Sequence, residues 1–127
     1  MARILIVDDE ELVRETVVAI IEAAGHRACA VDGGVPCLER LDSFNPDLVI
    51  TNIVMPGMEG METIRELRRR RPHLAIIVLS GFRPSHGVDY LAMAEHLGAS
   101  RSLSKPVSPR TLIDAVNTLL AGRAAGT

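Results

Sequence analysis

Four polar residues follow short apolar runs and a fifth follows a more polar one, and their types suggest a single site. Asp8 and Asp9 come after Ile4–Val7, Asn52 after Leu48–Thr51, and Ser80 after Ala75–Leu79. Lys105, joined to Pro106, comes shortly after Arg101–Leu103. Two adjacent carboxylates repel each other unless a cation joins them, and hard oxygen ligands with open water positions suit Mg²⁺. A lysine opposite supplies a compact positive charge for an anionic group, and a serine hydroxyl can hydrogen-bond one of that group's oxygens. Such a set would hold a phosphoryl group bridged to a metal. The odd member is the neutral amide of Asn52.

Positioning these residues requires strands that end side by side. Ile4–Val7 has the β-branched character of a strand buried on both faces. Val13, Val17, Ile20, Ile21 and Ala24 then recur at helical spacing, and Gly25 is a suitable stop. Arg27–Val31 is a second strand, and Pro36 suits the first turn of a second helix with Leu38 and Leu41 inward. A third strand, Leu48–Thr51, leads into a loop over residues 53–60. Met61–Arg70 is a third helix with Ile64 and Leu67 inward, and Ala75–Leu79 a fourth strand. Val88–Leu97 is a fourth helix ending at Gly98, and Arg101–Leu103 a weak fifth strand. Ser108 caps and Pro109 opens a last helix whose Leu112, Val116 and Leu119 make one stripe. Ala121–Thr127 is expected to fray. Five alternations of strand and helix with right-handed crossovers imply an open parallel sheet covered on both faces. Chemistry in such sheets lies at the carboxyl ends of the strands, near a topological switch point.

Composition removes other classes. The 127 residues suit one domain. The chain is 47% hydrophobic and 24% charged, as ordinary globular proteins are. Two Phe, one Tyr and no Trp leave few stacking platforms for single-stranded nucleic acid. A net charge of −2 creates no strong field toward DNA or anionic lipid. Cys29 and Cys37 have neither metal nor disulfide spacing and read as reduced thiols of a cytoplasmic protein. The apolar start is too short for a signal peptide or a membrane span. Arg68–Arg71 reads as a solvated helix end that complements the dipole, rather than a nucleic-acid contact. Met55, Met58 and Met61 read as packing. His26, His73, His86 and His96 have no ligand spacing. Taken alone, Asp8-Asp9 could simply favour the dipole of the first helix.

The combination of Asp8-Asp9, the segment Asp47–Gly60 with its Met55-Pro56-Gly57-Met58 loop, Ser80-Gly81 and Lys105-Pro106 resembles the receiver domain of bacterial response regulators. The resemblance covers residues 1–121, with 122–127 as a short tail. It implies a flavodoxin-like, doubly wound (βα)5 sheet of strand order 2-1-3-4-5, and phosphoryl transfer from a partner histidine kinase or phosphotransfer protein to an aspartate. It further implies that Asp9 is a direct Mg²⁺ ligand, Asp8 a ligand through water, and the Val54 carbonyl another ligand. Ser80 would be the hydroxyl switch residue, Lys105 the contact to the phosphoryl group, and Lys105–Pro106 a cis peptide. Partners, including a second copy, would use the face of helix four, strand five and helix five.

This chain departs from the family pattern at two positions. Asn52 stands where the family has the phosphoaccepting aspartate, and a neutral amide is no nucleophile toward phosphorus. Strand alternation points Thr51 to the opposite face, so it cannot substitute. Ser102 stands where the family commonly has Tyr or Phe, and a serine cannot perform that ring's packing switch. The expectation is a receiver that binds Mg²⁺ more weakly and is not phosphorylated, whether Asn52 is an introduced block or the mark of a natural pseudo-receiver. The chain is read as either a stand-alone receiver or the first domain of a longer regulator. The competing reading is a small Mg²⁺-dependent phosphatase or phosphotransferase with an aspartyl nucleophile. It needs a D-x-D pair and a cap, neither of which the chain offers.

Overall fold

Residue parity along each apolar run divides the core into two layers. In the computed structural model, which describes residues 1–53, 59–81 and 90–125, the strands are β1 (Arg3–Val7), β2 (Arg27–Val31), β3 (Leu48–Asn52), β4 (Ala75–Ser80) and β5 (Arg101–Ser104). The helices are α1 (Glu11–Ala23), α2 (Gly34–Phe44), α3 (Glu59–Arg70), α4 (Tyr90–Leu97) and α5 (Pro109–Ala125). Ile4, Ile6, Leu48, Ile50, Ile77 and Leu79 face Val17 and Ile21 of α1 and Leu112 and Val116 of α5. Leu5, Val7, Val49, Ile76 and Val78 face Leu41 of α2, Ile64 and Leu67 of α3 and Ala94 of α4. A strand's period of two places alternate residues on opposite faces, and burial on both faces explains the uninterrupted apolar runs.

All pairings are parallel, in the order β2-β1-β3-β4-β5. Val7 lies opposite Thr51, Asn52 opposite Leu79, and Ser80 opposite Ser104, so four strands end nearly level. Order reverses between β1 and β3, which places the switch point beside Asp8 and Asn52. The fold is the expected doubly wound, flavodoxin-like sheet.

Most helix boundaries follow local chemistry. Gly25 ends α1 at φ +89°, with Ala24 exposed at the cap rather than inward. The Thr111 N–H donates to Ser108 Oγ at 3.1 Å, which caps α5 ahead of Pro109. Two boundaries differ from expectation. α3 starts at Glu59 rather than Met61, with Gly60 in its first turn. A Cβ on Gly60 would collide with the Ile53 carbonyl oxygen, so the missing side chain lets the helix start against the end of β3. α5 runs through Ala125 rather than fraying from Ala121, and Leu, Ala and Arg are among the residues of highest helix propensity. The first residues of the expected fourth helix, Val88 and Asp89, lie outside the described residues, as does most of the 53–60 loop.

The four-arginine run is engaged, not merely solvated. Arg68 donates from Nε and Nη2 to the Gly98 carbonyl at 3.0 and 2.7 Å, and from Nη1 to the carbonyls of Pro72 at 2.8 Å and Arg71 at 3.3 Å. Gly98 sits at φ +124°, and a Cβ there would approach Arg68 Cγ to 3.0 Å. Partial burial lowers the Arg68 pKa from its ordinary value. Arg69 and Arg70 both pair with Glu66, whose carboxyl those hydrogen bonds hold down at about 2. Arg71 reaches Asp42 of α2 at 2.7 Å. Among the described residues no helix is long and apolar enough to cross a membrane. Arg68→Ala should therefore cost about 2 kcal/mol in urea unfolding, because partly buried carbonyls lose their donor. Arg69→Ala, on an exposed side chain, should leave the midpoint nearly unchanged.

Candidate functional site

Asp8 continues the parity of Ile4 and Ile6 past the end of β1, and Asn52 continues that of Leu48 and Ile50 at the end of β3. The two side chains therefore turn to the same side of the sheet's carboxyl edge. Asp8 is buried, and the protein engages each of its polar groups. Its N–H donates to the Val31 carbonyl at 3.2 Å, and its own carbonyl accepts from Arg14 Nη1 at 2.8 Å. Its Oδ1 accepts the Glu10 N–H at 2.9 Å, and its Oδ2 receives Lys105 Nζ at 3.1 Å. The carboxylate thus braces the turn into α1 rather than capping the helix itself, whose cap residue is Glu10. Sequence alone did not single out Arg14, whose only signal is a basic residue shortly after an acidic pair.

Asp9 is exposed, and its Oδ1 lies 3.5 Å from Asn52 Nδ2, at the long limit of a hydrogen bond. Asn52 itself is 6% exposed. Ser80 is buried, and its carbonyl accepts the Lys105 N–H at 2.8 Å, which ties the ends of β4 and β5 together. Lys105–Pro106 is a cis peptide. The structure thus gathers Asp8, Asp9, Asn52 and Lys105 and places Ser80 one backbone bond away. Ser102 faces elsewhere: its Oγ donates to Glu95 Oε2 of α4 at 3.0 Å. Val54 lies outside the described residues, as do Met55, Met58 and His86.

Among the described residues no three His, Cys, Asp or Glu side chains gather as a metal-binding group. At the strand ends the third position is held by an amide. Half a turn of the Asn52 side chain brings its Oδ1 toward Asp9, giving two carboxylates and one neutral oxygen. These hard donors fit Mg²⁺, with one negative charge fewer than three carboxylates would supply. Cys37, in α2, offers no alternative nucleophile. Its buried thiol is pushed up to about 12 by desolvation, so it stays protonated and inert.

A doubly wound sheet with acids, an amide, a hydroxyl and a lysine at adjoining strand ends is the arrangement of a receiver-type signalling module. Residues 4–117 match the response regulator receiver domain family, and the chain belongs to it. It is 34% identical over 122 residues to Protein PilH of Pseudomonas aeruginosa, covering 96% of this chain and all of that one. It is 37% identical over 128 residues to the transcriptional regulatory protein FixJ of Azorhizobium caulinodans, covering 94% of this chain but only 55% of that protein. A response regulator receiver domain crystal structure from Clostridium thermocellum superposes with a TM-score of 0.90 at 28% identity, covering both chains completely. Receiver domains are signalling modules that typically bind Mg²⁺ and interact with histidine kinases or phosphotransfer proteins.

The geometry sets the sign of one substitution. Asn52→Asp replaces a donor 3.5 Å from Asp9 with a third carboxylate. Like charges about 5 Å apart repel by roughly 3 kcal/mol at an effective dielectric near 20, before compensation by Lys105 and solvent. Asn52→Asp should therefore be less stable by about 1 kcal/mol in metal-free urea melts at neutral pH.

Proposed function

We propose that this receiver domain works by protein contact and does not accept a phosphoryl group at residue 52. The observation that carries the reading is the buried amide of Asn52 at the end of β3, beside Asp9 and on the same edge as Lys105. In a phosphorylatable receiver a carboxylate oxygen forms the new bond to phosphorus as the donor's leaving group departs. The amide oxygen of Asn52 is neutral and its nitrogen lone pair is delocalised, so neither atom attacks. Asp8 is buried and committed to Lys105. Ser80 acts as a hydrogen-bonding hydroxyl and Lys105 as the cation facing an anion at this edge. Asp8, Asp9, Asn52 and the carbonyl of Val54 form the ligand set for a weakly held Mg²⁺, which would supply charge neutralisation for phosphoryl oxygens.

Partners are a sensor histidine kinase, a phosphotransfer protein or a second copy, docking on α4, β5 and α5. Arg101 and Met93 are exposed on these elements. Ser102, small and hydrogen-bonded to Glu95, ties β5 to α4 instead of switching between packed and open rotamers. That arrangement supports a face that stays the same whatever occupies the site. The domain is cytoplasmic, has no enzymatic turnover of its own and makes no direct nucleic-acid contact. Arg68–Arg71 are committed to Gly98, Glu66 and Asp42, which supports the last point. The domain spans residues 1–121, with 122–127 as a short tail.

Acetyl phosphate or phosphoramidate with Mg²⁺, read by intact mass, tests the central statement. The chain should gain no phosphoryl group, and Asn52→Asp should gain one. A phosphoryl adduct on residue 52, Asp9 or Ser80 of the unaltered chain contradicts the proposal.

A further inference from the structure

Strand β2 ends the sheet on the side away from β5, and its outer edge meets no other strand among the described residues. The direction of its backbone groups follows from its ladder. The Arg27 N–H donates to the Ala2 carbonyl at 2.8 Å, and the Val31 carbonyl accepts the Asp8 N–H at 3.2 Å. Arg27, Cys29 and Val31 therefore turn their backbone groups to β1, and strand alternation turns those of Ala28 and Ala30 outward. The side chains defend this edge poorly. Ala30 is exposed, and Ala28, Cys29 and Val31 are half-buried, with no proline and no charge between Arg27 and Asp32. The opposite edge strand, β5, is more polar, and its Ser102 is engaged by Glu95.

We infer that the β2 edge is a self-pairing surface, on which a second copy of this chain adds its own β2 antiparallel to make one continuous sheet. The outward residues fix the register. Ala28 of each copy exchanges both backbone bonds with Ala30 of the other, about a two-fold axis at Cys29. Cys29 then faces Cys29 at a position without hydrogen bonds, where Cα atoms lie about 4.5 Å apart. Charge selects the same direction. Antiparallel pairing brings Arg27 of each copy beside Asp32 of the other, whereas parallel pairing would set Arg27 beside Arg27 and Asp32 beside Asp32. The contact is the same patch on both copies, so it closes on itself as a dimer. It lies at the far edge from α4, β5 and α5, and it does not depend on the chemistry of residue 52.

Sedimentation of the full chain at concentrations up to about 1 mM, where weak association shows, provides the test. The unaltered chain should form a dimer. Ala30→Pro removes an outward N–H and no bond to β1, and it should abolish the dimer. Arg27→Asp and Asp32→Arg, both at exposed positions, should each weaken the dimer at least about threefold, and the double variant should restore it. Diamide, which takes up the two hydrogens lost as two thiols join, should link the copies through Cys29, and Cys29→Ser should not be linked. An unaltered chain that stays monomeric throughout overturns the inference, as does a dimer that survives Ala30→Pro or that diamide does not link. A dimer that Arg101→Glu dissociates also overturns it, because the copies then meet on the face of α4, β5 and α5. If Ala30→Pro does not fold, failure of the charge-exchanged double variant to recover the dimer overturns the inference by itself.

Discussion

A carboxylate at the end of a buried parallel strand must find a counter-charge, and most of this site's geometry follows from that need. Asp8 is nearly solvent-free because β1 is central and covered on both faces. Desolvation of an unpaired charge costs several kcal/mol, so the residue is tolerable only with donors on each oxygen. The turn into α1 supplies the Glu10 N–H, α1 itself supplies Arg14 on the carbonyl, and the far edge of the sheet supplies Lys105. One side chain thereby ties together the first strand, the first helix and the connection after the last strand.

Within this framework the amide at residue 52 is a small change with large consequences. It keeps the size and hydrogen-bonding reach of an aspartate, so the strand ends keep their shape. On the proposed reading it lacks the negative charge and the nucleophile that an aspartate would supply, so the two acids are balanced by groups of the chain itself. On the proposed reading, a receiver so arranged presents one fixed surface, and Ser102 on β5 contributes by holding Glu95 of α4 rather than changing rotamer. Arg68 also fastens the C-terminal end of α4, through the Gly98 carbonyl. Site and surface are each held by contacts that need no phosphoryl group.

Strands β1, β3 and β4 are legible in the sequence because uninterrupted apolar runs, each followed by a polar residue, fit little besides strands buried on both faces. Parity then places Asp8 and Asn52 on one side, and the gathering of Asp8, Asp9, Asn52 and Lys105 follows from that pattern. Hydrogen-bond partners are not legible. Lys105 meets Asp8 across 97 residues, and no local pattern distinguishes that bond from one to Asn52 or to solvent. Arg68 resembles its three neighbours in sequence, because the Gly98 carbonyl that singles it out lies 30 residues away. Gly60 suggests a loop because its low helix propensity signals a break. Only the position of the Ile53 carbonyl shows why it sits in the first turn of a helix.

The most direct test of the account is a double-mutant cycle on the pair that closes the site. Urea unfolding of the chain, Asp8→Asn, Lys105→Met and the double variant in metal-free buffer isolates the Asp8–Lys105 coupling from the other contacts of each residue. A pair this little exposed should give a favourable coupling of about 2 kcal/mol or more. A coupling below about 0.5 kcal/mol, the value of an exposed pair, would show that Lys105 does not hold Asp8.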